Sequence, residues 1–194
     1  MIRLPYFVLT AILCLGLGAP GVRAAPYVLD KSHAHVTFAV SHLGFSMVRG
    51  QFREFEATID FDPGNVEATK VDFRIKSESV DTFWKARDRD LRGKNFLNVK
   101  DHPWITFKTT SVVPTGTDTA DVTGDVTILD VTKPVTFKAR LNKLAPSPFK
   151  KDTTIAGFSV TGQLDRRDFG MTFAAPAIGA VIDIKLELEI SPAK

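Results

Sequence analysis

Residues 182–190 read IDIKLELEI, a strict alternation of apolar and charged side chains. Successive side chains of an extended chain point to opposite faces, so the aliphatic residues of this stretch share one face and the charged residues share the other. The pattern predicts a β-strand that has one face in a core and the other in water.

The same period of two recurs along most of the chain. Turn-forming sequences separate the runs, and such short connections favour antiparallel pairing of neighbours. Seven further runs alternate in this way, at residues 36–40, 55–61, 71–75, 105–107, 122–128, 135–141 and 158–164. Because no helical layer is predicted to cover their apolar face, these strands must form a closed barrel or a two-sheet sandwich. We expect the barrel, since it leaves no apolar edge exposed.

One stretch departs from the alternation. Residues 81–97 are rich in charge, and their apolar members are spaced as in one or two short helices. The sequence therefore predicts an all-β domain: an extended eight-stranded antiparallel barrel, with a short helical insertion between the third and fourth strands.

The first residues have the layout of a secretory signal. Arg3 precedes an apolar run at 6–17, helix-breaking glycine and proline follow, and small or modest side chains precede Ala24. We predict a signal peptide at 1–24 that is cleaved after Ala24, which leaves a single exported domain at 25–194. The lone Cys14 lies in the removed segment, so the domain must hold together without a disulfide.

Charge and motif content exclude several classes of function. Without Arg3 and Arg23 the formal net charge falls from +3 to +1, so we expect no general attraction to nucleic acid. The domain has no cysteine nucleophile, no Gly-x-Ser-x-Gly motif and no phosphate-binding loop. We therefore expect neither an enzyme nor a cofactor.

A pair of histidines leaves one weaker alternative open. His33 and His35 stand two positions apart, so in an extended strand both would point the same way and could offer nitrogens to a metal ion. A usable site needs a third ligand, and His42 has the opposite parity while His102 lies far along the chain. We expect no metal, and a small metal-dependent hydrolase is the least favoured function.

Five segments resemble, in order, the motifs of the YceI-like family. They are SHLGFSMVRGQF at 41–52, the charged insertion at 87–96, HPWITF at 102–107 with His102 in place of a more usual Tyr, the hairpin at 124–135, and RDFG at 167–170. The similarity spans essentially the whole of the exported domain.

The resemblance implies a lipocalin-like barrel with a long internal tunnel. Family members bind polyisoprenoid molecules, such as quinones with isoprenoid tails or isoprenyl phosphates, and many are periplasmic. Some occur beside, or fused to, membrane cytochromes of the b561 type. For this chain the resemblance implies an isoprenoid lipid or quinone as ligand, a b561-type cytochrome as a further candidate partner, and a periplasmic location. A second copy of the chain is another candidate partner.

The apolar face of the strands is the expected wall of the tunnel. Fourteen of the fifteen phenylalanines lie after residue 24, and phenylalanine offers a large apolar surface with no hydroxyl to satisfy. Alternation does not distinguish a solid barrel from one that holds a ligand; the resemblance favours the ligand. The predicted wall consists of Val36, Phe38, Val40, Phe73, Ile75, Phe107, Val126, Ile128, Phe137, Phe158, Val160, Ile182 and Ile184.

Four side chains are candidate contacts for a polar head group: His42, Arg87, Arg92 and Arg167. A cationic side chain at a tunnel end can bind a pyrophosphate or a quinone head. The alternative is structural: Asp88 and Arg92 have the i,i+4 spacing of a helix-surface pair, and Arg166–Asp168 has the composition of an ion pair beside a tight turn.

The favoured function is thus a periplasmic binding protein or carrier that holds a long isoprenoid lipid in an apolar tunnel. The alternative is a non-catalytic interaction or envelope stress protein with a solid core, which would partner a membrane cytochrome.

Overall fold

The computed structural model describes residues 25–193; the predicted signal peptide lies outside the described residues. The strands are β1 (Ala25–Leu29), β2 (His35–His42), β3 (Ser46–Phe52), β4 (Phe55–Phe61), β5 (Lys70–Lys76), β6 (Val80–Asp81), β7 (Trp104–Pro114), β8 (Thr119–Ile128), β9 (Val131–Pro146), β10 (Thr154–Asp165) and β11 (Ile178–Pro192). The α-helix α1 spans Lys85–Arg92. Among the described residues, no helix has the length and apolar character needed to cross a membrane.

The sheet closes on itself. Antiparallel pairing runs in the order β1, β4, β5, β7, β8, β9, β10, β11, and β11 pairs back to β1 through Tyr27–Pro192, Val28–Ser191 and Leu29–Ile190. Each of the first three long strands is interrupted once: β1 and β2 form the first, β3 and β4 the second, and β5 and β6 the third. Accordingly, β2 also pairs with β11, and β3 pairs with both β2 and β6. The predicted fold class is confirmed: an eight-stranded antiparallel barrel, with α1 between the third and fourth of its long strands.

The interruptions let the first two long strands bend. At the first of them, Asp30 caps a short turn at Lys31–His33 and accepts hydrogen bonds from the backbone N–H and the hydroxyl of Ser32. The backbone N–H of Asp30 meanwhile donates to the carbonyl of Glu189. The bend is therefore hydrogen-bonded throughout, and the chain stays attached to β11 on both sides of it.

The helical insertion is tied to β6 by polar groups. Asp88 is buried, and its Oδ1 accepts from the backbone N–H of Thr82 at 2.8 Å and from the hydroxyl of Thr82 at 2.5 Å. Arg87 donates to the same hydroxyl and to the carbonyl of Thr82, each at 2.7 Å. Arg92 donates to the carbonyls of Glu78 and Val80. Because these bonds hold α1 against the barrel end, Phe96 and Leu97 beyond it can be buried.

Three inward-facing glycines are each covered by a phenylalanine ring. An added Cβ on Gly124 would lie under 3.0 Å from ring atoms of Phe107, and one on Gly162 would meet the ring of Phe137 in the same way. Gly50 and Phe38 form the third pair. The rings fill the space that a side chain on the neighbouring strand would take, so they lie against the wall and leave the barrel axis free.

A turn after β10 ends in an ion pair. The carboxylate of Asp165 accepts from the backbone N–H and the guanidinium of Arg167, with N···O distances of 2.5–3.1 Å. The turn then closes at Gly170, which has φ of 82°, a conformation that favours glycine. These hydrogen bonds from Arg167 hold the pKa of Asp165 at about 2.

We predict that Gly124→Ala lowers the free energy of unfolding by about 1–3 kcal/mol, the usual cost of overpacking. The new Cβ would meet the Phe107 ring and the carbonyl of Lys108, and that backbone oxygen cannot move aside. Urea denaturation measures the change. Gly157→Ala is the control, because nothing lies within 4 Å of its added Cβ. Equal losses in the two variants would contradict the proposed ring packing.

Acid should weaken the Asp165–Arg167 pair. A carboxyl with a depressed pKa stabilises the fold fully above its unfolded pKa of about 3.9, and that contribution is lost as the pH falls through about 2. The stability difference between wild type and Arg167→Gln should therefore shrink as the pH falls from 5 towards 2, measured by urea denaturation at each pH. A difference that stays constant across this range would show that the ion pair is not responsible.

Candidate functional site: an apolar cavity inside the barrel

The barrel encloses a cavity of about 370 Å³, which lies in the size range of small-molecule sites. The inward faces of the long strands form its wall, and nearly all of the lining side chains are apolar. Within the described part of the chain, Asp118 and Arg166 are the only charged residues on this wall. Such a surface suits a long hydrocarbon ligand and offers few polar contacts.

The structure places the predicted wall residues on the cavity with one exception. Those on the wall are Val36, Phe38, Phe73, Ile75, Phe107, Val126, Ile128, Phe137, Phe158, Val160, Ile182 and Ile184. Val40 is not among the lining residues of the described chain. Val40 pairs with Val48 and Ile182 near the end of β2, where Leu43 already bonds to the loop that covers the barrel, so the cavity does not reach it. Contact of the wall residues with a lipid stays a prediction.

One end of the cavity is open. Residues of the β4–β5 connection and of the β7–β8 turn form its rim, and Pro63, Gly116 and Thr117 of this rim are exposed. Asp118 lies on the rim, and its carboxylate pairs with Arg140 at 3.1 Å. The cavity therefore reaches the surface between these two connections.

The β4–β5 connection beside the opening also contains polar atoms without protein partners. Asp62 is buried, and its Oδ1 accepts from the backbone N–H of Gly64 at 2.8 Å. Its Oδ2 and the hydroxyl of Thr69, a wall residue, have no hydrogen-bond partner among the described residues. The rim thus carries polar groups such as Thr69, Thr117 and Asp118, in contrast to the apolar wall behind it.

The other end is closed by the helical insertion and the turn after β10. Val80, Leu97, Phe169 and Met171 line the cavity there, and all four are buried. Leu91 of α1 also reaches the wall. Strand periodicity could not have identified Leu91, Leu97 or Met171, because none of them belongs to a strand.

The four predicted head-group residues are not on the cavity wall among the described lining residues. His42 is exposed at the end of β2. Arg87 and Arg92 are occupied in holding α1 to the segment before it, and Arg167 is paired with Asp165 at the surface. Three of the side chains are engaged in structural bonds and the fourth lies at an exposed hairpin, so their contact with a head group stays a prediction.

Arg166, the residue before Arg167, does line the cavity. It is 2% exposed and lines the closed end of the cavity. Its guanidinium donates to the carbonyls of Met171, Ile178 and Gly179, and burial lowers its pKa. It thus combines two roles: it holds the closing loop in place, and it brings a positive charge to an apolar wall.

Only one of the two histidines, His33, is grouped with other possible metal ligands among the described residues. His33 Nδ1 lies 3.0 Å from Asp30 Oδ2 and 3.9 Å from Glu189 Oε2. The hydrogen bond that His33 donates to the Asp30 carboxylate raises the pKa of His33. His35 lies opposite Glu187 in the β2–β11 pairing. Asp30, His33 and Glu189 are close enough to hold a metal ion, but the carboxylate of Asp30 already accepts the bonds that cap the bend.

Comparison with known proteins agrees with this architecture. Residues 27–190 match the family model of the YceI-like domain. The UPF0312 protein of Azotobacter vinelandii is 40% identical over 184 residues, which cover 92% of this chain and 95% of that protein. The UPF0312 protein of Pseudomonas savastanoi pv. phaseolicola is 39% identical over 184 residues, covering 92% and 94%.

Solved structures share the fold. The Campylobacter jejuni YCEI protein superposes with a TM-score of 0.73 at 26% identity, covering 96% of this chain and 100% of that one. BcnA of Burkholderia cenocepacia gives 0.74 at 21% identity, covering 83% and 98%. A polyisoprenoid binding domain from Saccharophagus degradans gives 0.66 at 13% identity, covering 87% and 99%. Because the family model matches nearly the whole of the described barrel, the chain belongs to the YceI-like domain family.

Proposed function

We propose that this chain is an exported, periplasmic binding protein that sequesters a long isoprenoid lipid, either a polyisoprenoid quinone or an isoprenyl phosphate. The observation that carries the proposal is the continuous apolar wall, open at one end of the barrel and closed at the other. Exposure of an apolar chain to water costs roughly 25 cal/mol of free energy per Å² of accessible surface. Transfer of an isoprene chain into this cavity removes that surface from water.

Family membership and one structural neighbour support the choice of ligand. The Saccharophagus degradans domain is a polyisoprenoid binding domain with the same fold. The signal-like sequence of residues 1–24 supports export. A family of binding barrels favours binding over catalysis for this chain, and the open rim lets a carrier load and release its lipid.

The cavity counts against the alternative of a solid-core interaction protein. A barrel that served only as a docking surface would gain stability from filling its interior, since empty space forfeits packing contacts. Here a space of about 370 Å³ remains along the axis. A b561-type membrane cytochrome, or a second copy of the chain, as partner stays a prediction.

The first test is native mass spectrometry of the protein purified from the periplasm of its own host, followed by organic extraction. We expect a stoichiometric adduct that extracts as an isoprenoid. A bare chain mass, together with no uptake of an added isoprenoid quinone, would refute the proposal.

Filling the cavity should remove the lipid and keep the fold. Val160 lies on the wall opposite Ala139 and Leu186 of the neighbouring strands, so the indole of Val160→Trp must extend into the lumen. We expect isoprenoid occupancy to fall at least fivefold, a loss of about 1 kcal/mol or more, with an unchanged β-sheet circular dichroism spectrum. Lipid extracted per mole of protein is the readout.

Thr161→Trp is the matched control for this variant. Thr161 is the next residue of β10, is exposed, and pairs with Lys138 and Lys185 on the outer face. The Thr161→Trp variant should retain full lipid occupancy. Full occupancy in Val160→Trp as well would place the lipid elsewhere and count against the cavity as its site.

A further inference from the structure

We propose that Arg166 binds the polar head of the lipid, so that the ligand lies head-first in the barrel. The head would sit at the closed end, and the apolar tail would run towards the opening. The inference rests on the proposed function, which it deepens by assigning a head-group site and an orientation.

Arg166 has hydrogen-bonding capacity left at the cavity. Its Nε donates to the carbonyl of Gly179 at 3.0 Å, and its two Nη atoms donate to the carbonyls of Met171 and Ile178. A guanidinium carries five N–H groups, one on Nε and two on each Nη. These three bonds leave one N–H on each Nη atom for a further acceptor, and a pair of N–H groups suits a bidentate phosphate or carboxylate.

The charge of Arg166 is attracted by the carboxylate of Asp165 but has no salt-bridge partner among the described residues. Within residues 25–193, no carboxylate oxygen lies within 4.0 Å of the Arg166 guanidinium. The adjacent carboxylate of Asp165 is engaged by Arg167. A buried charge is normally paired, because carbonyl dipoles only partly replace its lost hydration. A ligand oxygen that carries negative charge would complete this site.

The distribution of charge along the cavity selects the orientation. The wall bears Arg166 at its closed end and Asp118 at its rim. Asp118 has its own partner in Arg140. An anionic head left at the rim would meet the carboxylate of Asp118, which Arg140 already pairs, whereas the same head at the closed end would meet a guanidinium that has no salt bridge of its own. Between the two ends the wall is apolar and suits only the tail.

The ligand class is therefore an isoprenoid whose head presents hydrogen-bond-accepting oxygens, as a phosphate or a quinone carbonyl does. Binding constants for three probes test this: geranylgeranyl phosphate, a quinone with a tail of the same length, and an isoprenoid hydrocarbon of that length. In Arg166→Gln we expect phosphate binding to weaken at least tenfold and hydrocarbon binding to stay within twofold. A parallel loss for the quinone would show that carbonyl oxygens share the site; loss for the phosphate alone would show recognition of the anion.

Arg167→Gln is the matched control, because Arg167 is the neighbouring arginine but its guanidinium is held by Asp165 outside the cavity. It should leave the affinity for all three probes unchanged. Unchanged binding of the phosphate probe in Arg166→Gln would overturn the head-group role. An equal loss of phosphate and hydrocarbon binding would also overturn it and would leave Arg166 as a structural residue only. A wild-type protein that binds none of the probes would instead refute the proposed function.

A measurement on the wild type makes the inference independent of any variant that fails to fold. The ³¹P signal of bound geranylgeranyl phosphate is recorded while a soluble paramagnetic relaxation agent is added. A head buried beside Arg166 should broaden far less than the phosphate of the free ligand in detergent. Broadening equal to that of the free ligand would place the head at the rim and overturn the proposal.

Discussion

The pairing of β1 with β11 is the constraint on which the rest of this structure depends. The strands present one apolar face each, and the described chain has only one short helix, so no helical layer can cover them. Closure through Tyr27–Pro192, Val28–Ser191 and Leu29–Ile190 turns that face inward and leaves no free edge in the ring. The bend capped by Asp30 makes this closure compatible with continued pairing of β2 to β11.

Closure alone would permit a solid core, and the glycines help explain why the interior is hollow. A phenylalanine ring that projects towards the axis fills a small barrel, but one that lies over a glycine takes up space at the wall instead. Phe107 over Gly124 and Phe137 over Gly162 also touch edge to face, with ring centroids 5.6 Å apart. Such aromatic pairs stabilise the wall. The packing contacts of these rings therefore lie in the wall, and a cavity remains along the axis.

Period-two alternation was sufficient to predict the number of long strands, their pairing and the inward face. It identified wall residues such as Val126 and Ile184 because each alternates within an uninterrupted run. It could not predict the breaks at residues 30–34 and 53–54, which depend on side-chain caps and on the geometry of closure. It also could not show that Leu97 and Met171 close one end, since loops have no periodicity to read.

The two arginines after β10 show what periodicity can still reveal at the end of a strand. Val160, Gly162 and Leu164 share the inward face of β10. Arg166 is the next residue in this alternation, whereas Arg167 has the outward parity. Composition alone does not separate two adjacent arginines, but parity does, and the structure buries the first and pairs the second at the surface. A charge in an apolar register breaks the pattern that stabilises the barrel. Such departures are expected where function competes with stability, so the position of Arg166 is itself an argument for a ligand at the closed end.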